Sequence, residues 1–556
     1  MLSDDIFLDI FRYYLAATPR FWPPLTWVCQ RWRQIIFTSP LGLNIRLYCT
    51  YGRPISKALD HWLTLPIVME YGGLQDLDPP LPEDDANIMA AFKQSDRVRS
   101  IRLTVTRSLL EKLSAISGPF LELEELVLLS HDNMQMTLPG TFRWDSRLRS
   151  LQSTRIGFPS FPRLLLPSRD LIDLQLNEVP ISGYFSPESF VDALSGMTQL
   201  RSLSLHFISL PPRRNYLIPH PQLGAHVVLP ALTYLKYQGT SKYLDDFIAR
   251  IYAPQLGNIN ITFFFQPTMD SSKLGRFIER TEKLTSLIRR AEIETSAKGI
   301  SVSFTGTDSG TDTRAALRVQ ISCKRLDWQL SCMAQVCDQF SPFLFRVEEL
   351  RAHTTESPRE IDDVASEQWL DLVRSFISAR QVWMANELAK DILDALGQAD
   401  GGETTVLPTI RHLSVDDPTE MNDPSWDALL SFINLRALSD HPVKVNAPYN
   451  CHICHAPFRR QIGLQLHFKH EHAFQIMCSH CGHVVSMPGN DHLFWSHLAM
   501  RHPQVASKDE LLSNPLLSYP SALELEGLRR RHSFLLAPDE ELQWVGLPTP
   551  GVPNVG

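Results

Sequence analysis

The sequence predicts an α/β fold: a solenoid of irregular leucine-rich repeats, preceded by a helical segment and followed by a small metal-binding module. Three observations lead to this prediction. A short apolar motif recurs through the middle of the chain, apolar residues at helical spacing open it, and paired Cys and His residues follow the repeats. The chain has 556 residues, which is enough for several domains.

Composition and charge narrow the classes of protein. The chain is 44% hydrophobic and 21% charged, as in ordinary globular proteins, and its net charge of -8 does not favour binding of phosphate backbones over the whole surface. No apolar run approaches the roughly 18 residues of a membrane span. The N-terminus is acidic where a signal peptide is basic. We therefore expect a soluble, intracellular protein of the nucleus or cytoplasm, with no membrane partner.

Residues 1–40 are predicted to form two short amphipathic helices. Ser3 is a favourable N-cap for the first. Its apolar residues at helical spacing are Ile6, Ile10 and Phe11. Pro23 and Pro24 are expected to interrupt the pattern before a second helix, which ends at Ser39. The apolar side of that second helix is formed by Leu25, Val28, Cys29, Trp32, Ile35 and Ile36. Such helices cannot bury their apolar faces alone, so we expect them to pack on the next domain or on a partner.

The repeat domain is predicted over residues 97–415, after a connecting segment (41–96) packed on the repeats. Each unit has apolar residues at its first, fourth and usually sixth positions. The clear units begin at Val98, Leu123, Leu148, Leu171, Leu200, Leu232 and Leu256. Their spacing of 23 to 32 residues suits one short strand with a helical or irregular return. Stacked units of this kind share a continuous core.

Later units are fainter, and they begin at Leu317, Val347 and Ile410. A helix-like stretch from Glu367 to Gly397 has a strand-like interruption around Val382 and Trp383. The chain contains no convincing phosphate-binding loop, nucleophile elbow or zinc-protease motif, and its acidic pairs, such as Asp245–Asp246 and Asp362–Asp363, are interpreted as solvated or helix-capping charges. We therefore expect no enzymatic activity.

Residues 416–447 are predicted to be a cap and linker, 448–503 a tandem zinc-finger module and 504–556 a partly disordered tail. The first finger has the spacing C-x2-C-x12-H-x4-H. Its predicted ligands are Cys451, Cys454, His467 and His472. Its small apolar core is predicted to be Tyr449, Phe458 and Leu464. Ligation by His470 in place of His472 is an alternative.

A second finger follows with a longer interval of fifteen residues between its Cys and His pairs. Its predicted ligands are Cys478, Cys481, His497 and His502. Phe494 stands three residues before His497, matching Leu464 in the first finger. Three other histidines compete for this site: His480, His483 and His492. We expect one or two Zn²⁺ ions.

The fingers are predicted to have a structural role. Helix positions -1, 3 and 6, which read bases in DNA-binding fingers, are Arg460, Gly463 and Leu466, and only the arginine can contact a guanine. Residues 449–502 contain four Arg or Lys against two acids, few for phosphate binding. Zinc would then replace a core that is too small to fold alone.

The N-terminal sequence resembles the F-box, in the form found in basidiomycete fungal F-box proteins with leucine-rich repeats. The residues that carry the resemblance are Leu2, Asp5, Ile6, Ile10, Phe11, Val28, Cys29, Arg31, Trp32 and Arg33. The stretches Leu47–Gly52 and His61–Gly72 continue it, and a looser similarity extends to about residue 445. The Leu-Pro that usually opens the F-box reads Leu2-Ser3 here.

This resemblance implies a substrate-recognition subunit of a Skp–cullin–F-box ubiquitin ligase. The first helices would dock on a Skp-type adaptor, and the repeats would present an unknown protein substrate to the cullin ligase. The residues expected to contact the adaptor are Leu2, Ile6, Ile10, Phe11, Val28 and Trp32. Two alternatives stay open: a zinc-finger protein that binds nucleic acid in transcription, and a scaffold whose F-box no longer binds an adaptor.

Overall fold

A computed structural model gives the structure of most of the chain. It describes, apart from short internal gaps, residues 2–71, 82–157, 161–209, 226–306, 315–355, 366–399 and 406–415, with short stretches between 428 and 486. The predicted tail (504–556) lies outside the described residues, as do most of 416–447 and 448–503. The chain forms two compact units, Met1–Ala291 with Ala297–Leu344, and Glu292–Ser296 with Phe345–Gly556.

The structure is of the mixed α/β class. The helices are α1 (Asp4–Ala17), α2 (Trp22–Val28), α3 (Gln30–Thr38), α4 (Ser56–His61), α5 (Pro82–Phe92), α6 (Arg107–Ser114), α7 (Phe161–Leu165), α8 (Pro187–Leu194), α9 (Ser241–Ile248), α10 (Ser272–Arg280), α11 (Glu282–Thr285), α12 (Leu326–Gln339), α13 (Ser341–Leu344), α14 (Ser366–Val373) and α15 (Asn386–Ala399), with short 3-10 helices at Ser95–Arg97 and Ile181–Gly183. None of these described helices is long and apolar enough to cross a membrane.

The strands alternate with these helices along much of the chain. They are β1 (Leu47–Thr50), β2 (Ile67–Tyr71), β3 (Val98–Val105), β4 (Glu125–Ser130), β5 (Met136–Thr137), β6 (Ser150–Thr154), β7 (Ile156–Gly157), β8 (Asp173–Val179), β9 (Ser202–Phe207), β10 (Val227–Val228), β11 (Tyr234–Gly239), β12 (Ile251–Tyr252), β13 (Asn258–Phe264), β14 (Arg290–Ser296), β15 (Gly299–Thr305), β16 (Leu317–Ser322), β17 (Glu349–Thr354), β18 (Gln381–Met384), β19 (His412–Val415), β20 (Lys444–Val445), β21 (Tyr449–Asn450), β22 (Pro457–Phe458), β23 (Gln475–Met477) and β24 (Val484–Ser486).

A large, mostly parallel sheet organises the first unit. Its strands follow the order β1-β2-β3-β4-β6-β8-β9-β11-β13-β16-β15, and among these described strands β15 runs antiparallel to its neighbour β16. The fourth position of each clear motif pairs with the fourth position of the next. These paired residues are Ile101, Leu126, Leu151, Leu174, Leu203, Leu235 and Ile259. The predicted strand in every clear unit is therefore confirmed.

The core lies between this sheet and the helices that return from one strand to the next. The apolar motif positions are almost completely buried, as at Leu151 and Leu174, while alternate residues such as Gln152 and Gln175 stay partly accessible. Because side chains alternate across a strand, one face of the sheet is apolar and packed and the other is polar.

The parallel sheet begins before the predicted repeat domain. In the predicted connecting segment, Leu47 of β1 pairs with Ile67 of β2, and Ile67 pairs with Val98 of β3. The hairpin-like succession of β14 and β15 was not predicted, because neither strand carries the leucine spacing of the motif.

The second unit has its own strand order, β14-β17-β18-β19-β20, and the strands from β17 to β20 pair in parallel. The faint motifs at Val347 and Ile410 correspond to β17 and β19. The predicted interruption at Val382 and Trp383 is β18, flanked by α14 and α15. The predicted repeat domain is thus divided between the two compact units.

The N-terminal segment contains three helices, so the prediction of two is wrong. Pro23 and Pro24 occupy the start of α2, where a missing N–H costs no helical hydrogen bond. The break falls instead at Cys29, whose backbone is extended (φ -159°, ψ 168°). Its Sγ accepts the N–H of Trp32 at 3.4 Å and caps α3.

Asp245 links two repeats in the first unit. It lies on α9, is 4% exposed, and accepts the backbone N–H groups of Lys273 and Leu274 in the first turn of α10, both at 3.1 Å. Its neighbour Asp246 accepts from the Lys273 Nζ at 2.7 Å. The interpretation of this acidic pair as capping charges is confirmed for Asp245.

We predict a pH-dependent stability from Asp245. Burial raises the pKa of its carboxyl to about 6, against the opposing effect of the two backbone donors. The pKa in the unfolded chain is about 3.9, so folding favours the protonated form. Its contribution is complete below about pH 4 and is lost as the pH rises through about 6, by roughly 2–3 kcal/mol. Thermal unfolding of Asp245→Asn from pH 4 to 7.5 should show a flatter profile, and an unchanged profile would contradict this assignment.

Candidate docking surface on the N-terminal helices

Helix α1 carries apolar residues on two sides. Successive residues are rotated by about 100°, so positions four apart form a stripe. The inward stripe consists of Phe7, Phe11 and Leu15. The outward stripe consists of Leu2, Ile6, Ile10 and Tyr13, with Leu2 just before the helix. A helix that packs on one neighbouring element needs only one apolar face, so the second apolar stripe of α1 requires a separate explanation.

The inward stripe packs on Trp32 of α3. The ring centroids of Phe11 and Trp32 lie 4.9 Å apart in an edge-to-face arrangement, and those of Phe7 and Trp32 lie 5.8 Å apart. Phe11 is 1% exposed. This cluster holds α1 against α3 and satisfies the first apolar face without any partner.

Arg31 fixes the beginning of α1 to the beginning of α3. Its Nη2 donates to the Asp4 Oδ1 and to the Leu2 carbonyl oxygen, each at 2.7 Å, and its guanidinium carbon lies 5.0 Å from the Phe7 ring centroid. The Arg31 and Asp4 side chains remain 40% and 63% exposed, so solvent screens the ion pair. Its effect is to keep Leu2 beside α3.

The outward stripe forms an exposed apolar patch. Leu2, Ile6 and Ile10 are 50%, 45% and 46% exposed, and Tyr13 is 84% exposed. On α2, Trp27 and Val28 are 74% and 59% exposed. Val28 lies three residues before Arg31, whose guanidinium binds the Leu2 carbonyl at the beginning of α1. We call these six residues the N-terminal patch, and exposure of several large apolar side chains on one short segment is typical of interaction sites.

The structure divides the six residues that were predicted to contact an adaptor. Leu2, Ile6, Ile10 and Val28 belong to the N-terminal patch. Phe11 and Trp32 instead lie between α1 and α3, where they hold the helices together. Their helical spacing resembles that of surface anchors because both stripes repeat every four residues.

Two patch residues were missed in the sequence. Tyr13 stands three residues after Ile10, so helical periodicity alone would have placed it on the outward stripe. Trp27 was hidden because Pro23 and Pro24 were assigned to a break instead of the start of α2. Pro at the first turn of a helix was the signal that identifies α2.

Aromatic contacts attach the helices to the first strands of the same unit. Trp22 donates its Nε1–H to the Arg46 carbonyl at 2.8 Å, and its ring centroid lies 5.7 Å from that of Trp62. Phe37 of α3 also packs on Trp62, at 4.6 Å. The N-terminal patch is therefore carried on helices with a defined attachment to the sheet.

The C-terminal module contributes two short hairpins to the described residues. In the first, Tyr449 pairs with Phe458, and in the second, Ile476 pairs with Val485. Each antiparallel pair encloses one Cys-x2-Cys sequence. In both, the residue two before the first Cys is paired with the residue four after the second Cys. This common register was not predicted, and it makes Ile476 and Val485 the equivalents in the second hairpin of Tyr449 and Phe458 in the first.

All eight predicted zinc ligands lie outside the described residues. Within the described part of the chain, no group of three or more His, Cys, Asp or Glu side chains is placed to hold a metal ion. The described strands bracket each Cys-x2-Cys sequence.

Comparisons with known proteins identify no family for the chain. No family model matches the chain, and no curated protein matches it. Among solved structures, the chain is similar to the leucine-rich repeat-containing protein LegL7 from Legionella pneumophila, at 12% identity over 70% of this chain and 97% of that chain, with a TM-score of 0.23. A TM-score this low carries no argument, so the fold assignment depends on the strand register.

Proposed function

We propose that the chain is a non-enzymatic substrate-recognition adaptor of a Skp–cullin–F-box ubiquitin ligase. In this proposal α1, α2 and α3 form the F-box, and the strand-and-helix units form an irregular leucine-rich-repeat domain that presents a protein substrate. The observation that carries the proposal is the outward stripe of α1, which remains exposed although the inward stripe packs on Trp32.

Docking would bury the N-terminal patch in the Skp-type adaptor. Full burial of an exposed Leu, Ile or Val is worth about 1.5–3 kcal/mol, so the half-exposed side chains here would each contribute roughly 1 kcal/mol. Trp27 and Tyr13 offer larger areas and suit the role of central anchors. In this role the chain itself breaks no bond. It raises the effective concentration of substrate lysines beside the ubiquitin-carrying enzyme.

The C-terminal module would hold one Zn²⁺ per hairpin and serve as a further interaction surface. Cys451, Cys454, His467 and His472 would hold the first ion. Cys478, Cys481, His497 and His502 would hold the second. The metal supplies the cohesion that so small an apolar core lacks, while the paired strands position each Cys pair.

Nucleic-acid binding is the weaker proposal for these fingers. Strand β23 begins at Gln475. Only Ala473 and Phe474 separate it from His472, so the second hairpin follows the first predicted finger almost directly. Such a short connection restricts the rotation that lets successive fingers follow a DNA groove. The absent side chain at Gly463 and the apolar Leu466 remove two of the three base-reading positions.

Affinity purification of the tagged full chain tests the proposal. We expect the Skp-type adaptor and the cullin to co-purify with the wild-type chain. Ile6→Asp with Ile10→Asp should lower adaptor capture by about 100-fold, because docking would bury two charges. The matched control is Leu121→Asp with Leu166→Asp, since these leucines are 45% and 58% exposed outside the patch. Equal capture by both double variants would contradict the docking surface.

A further inference from the structure

Strand β8 contains a bulge on the polar face of the sheet. The register between β8 and β9 shifts between Leu176 and Val179, so Asn177 and Glu178 both lie opposite His206. Bulges redirect side chains and are frequent beside functional sites.

The backbone at this bulge is strained. Glu178 has a φ of 53°, and Arg155, at the equivalent position of the preceding repeat, has a φ of 61°. Residues with a Cβ pay about 1 kcal/mol or more in this left-handed region. The two side chains form an ion pair across the strands, so Arg155 partly offsets the charge of Glu178. The left-handed backbone thus recurs at the same position of two successive repeats.

On this face the neighbouring strands β9, β11 and β13 carry one exposed lysine, Lys236, and β8 beside them carries Asp173 and Glu178. Their alternating polar-face residues are Ser202, Ser204 and His206, then Tyr234, Lys236 and Gln238, then Asn258, Asn260, Thr262 and Phe264. None of these described residues is an acid. Lys236 is exposed, and it stands between Ser204 and Asn260 in the register. Burial, partly offset by Glu178, lowers the pKa of His206, so its neutral imidazole adds hydrogen-bonding capacity.

An apolar pair adjoins the end of the same strands. Ile208 is 49% exposed and lies two residues beyond His206, and its N–H donates to the Val179 carbonyl at 3.1 Å. Ile181, two residues beyond Val179, is 47% exposed. Ser204 pairs with Lys236, and Ile208 lies four residues after Ser204. Four residues of extended strand span about 13 Å.

From this juxtaposition we infer that β9, β11 and β13 form a docking site for an extended acidic segment of the protein substrate. Lys236 faces a carboxylate, and Ile208 with Ile181 receives an apolar side chain four residues away along the segment. This inference rests on the proposed function in taking the ligand to be a protein. A phosphate backbone fits less well, because nucleic-acid binding needs several cationic contacts and these three strands present one permanent cation.

Peptide arrays probed with the purified full chain test the inference. One set of decapeptides has Glu at the fourth position and Leu at the eighth, with Ser, Gly, Ala, Thr or Asn elsewhere, and the matched set has Lys in place of Glu. We expect the Glu set to bind, Lys236→Glu to weaken that binding about tenfold, and the same variant to favour the Lys set. Lys57→Glu, on exposed α4, is the charge-matched control and should bind as the wild type does.

Three results would overturn the docking site. These are no binding of the Glu set by the wild-type chain, equal binding of both sets, or equal losses in Lys236→Glu and Lys57→Glu. Adaptor capture by Lys236→Glu separates this inference from the proposed function. Normal capture with any of the three results rejects the acidic docking site alone, whereas charge-dependent peptide binding without adaptor capture rejects the ligase role alone.

Discussion

Replacing Phe11 by Ala is expected to open the N-terminal helices and to abolish adaptor capture with them. Phe11 is 1% exposed and packs on Trp32, and truncating a buried Phe costs about 3–5 kcal/mol. Ile10, one residue earlier, is half-exposed on the outward stripe. Ile10→Ala should therefore leave the helices intact, within about 0.5 kcal/mol, while weakening capture about tenfold.

Hydrogen exchange of the α1 and α3 amides measures the two effects separately, because it reports the free energy of local opening. Phe11→Ala should lose protection in both helices, and Ile10→Ala should keep it. Two outcomes would contradict this division of roles: equal protection in the two variants, or stronger capture by Phe11→Ala than by Ile10→Ala.

Removing zinc is expected to unfold both C-terminal hairpins. Structural zinc contributes about 10–16 kcal/mol of apparent binding free energy in isolated fingers, far more than so small a core can supply. The chain purified with zinc under reducing conditions should hold about two ions, one per Cys-x2-Cys hairpin. Cys451→Ser and Cys478→Ser should each lose one ion, and the corresponding hairpin amides should lose their exchange protection.

Native mass spectrometry of the full chain gives the zinc count. Cys323→Ser provides the control, because this half-buried cysteine is a free thiol in the repeat region. A wild-type chain without zinc under these conditions would contradict the metal assignment. Loss of zinc from the Cys323 variant to the same extent would show that the two hairpins do not determine the count.

The repeat strands were predictable from the sequence because burial fixes the apolar positions. Leu151, Leu174 and Leu203 mark the same strand position in successive units, and the observed register joins them directly. The strands β1 and β2 were harder to recognise in the sequence. Around Tyr48 in β1 and Glu70 in β2, apolar and polar residues alternate too weakly to mark the repeat motif. The bulge at Glu178 depends on pairing between distant segments, which a local pattern does not contain.

The candidate docking surface was only partly predictable. Helical spacing located Ile6 and Ile10 on one stripe, but the same spacing could not separate the outward stripe from Phe11, whose burial depends on Trp32. Similarly, the Cys and His spacing predicts two zinc sites, and their ligands lie outside the described residues. The pairing of Ile476 with Val485 became evident only from the backbone register.

Calorimetric titration of the purified chain with the Skp-type adaptor tests the central claim most directly. The outward stripe of α1 predicts saturable binding with a negative heat-capacity change, the signature of apolar burial. It also predicts that Ile6→Asp with Ile10→Asp weakens binding by about 100-fold, whereas Leu121→Asp with Leu166→Asp does not. An adaptor that fails to bind the wild-type chain, or that binds both double variants with wild-type affinity, would contradict the account.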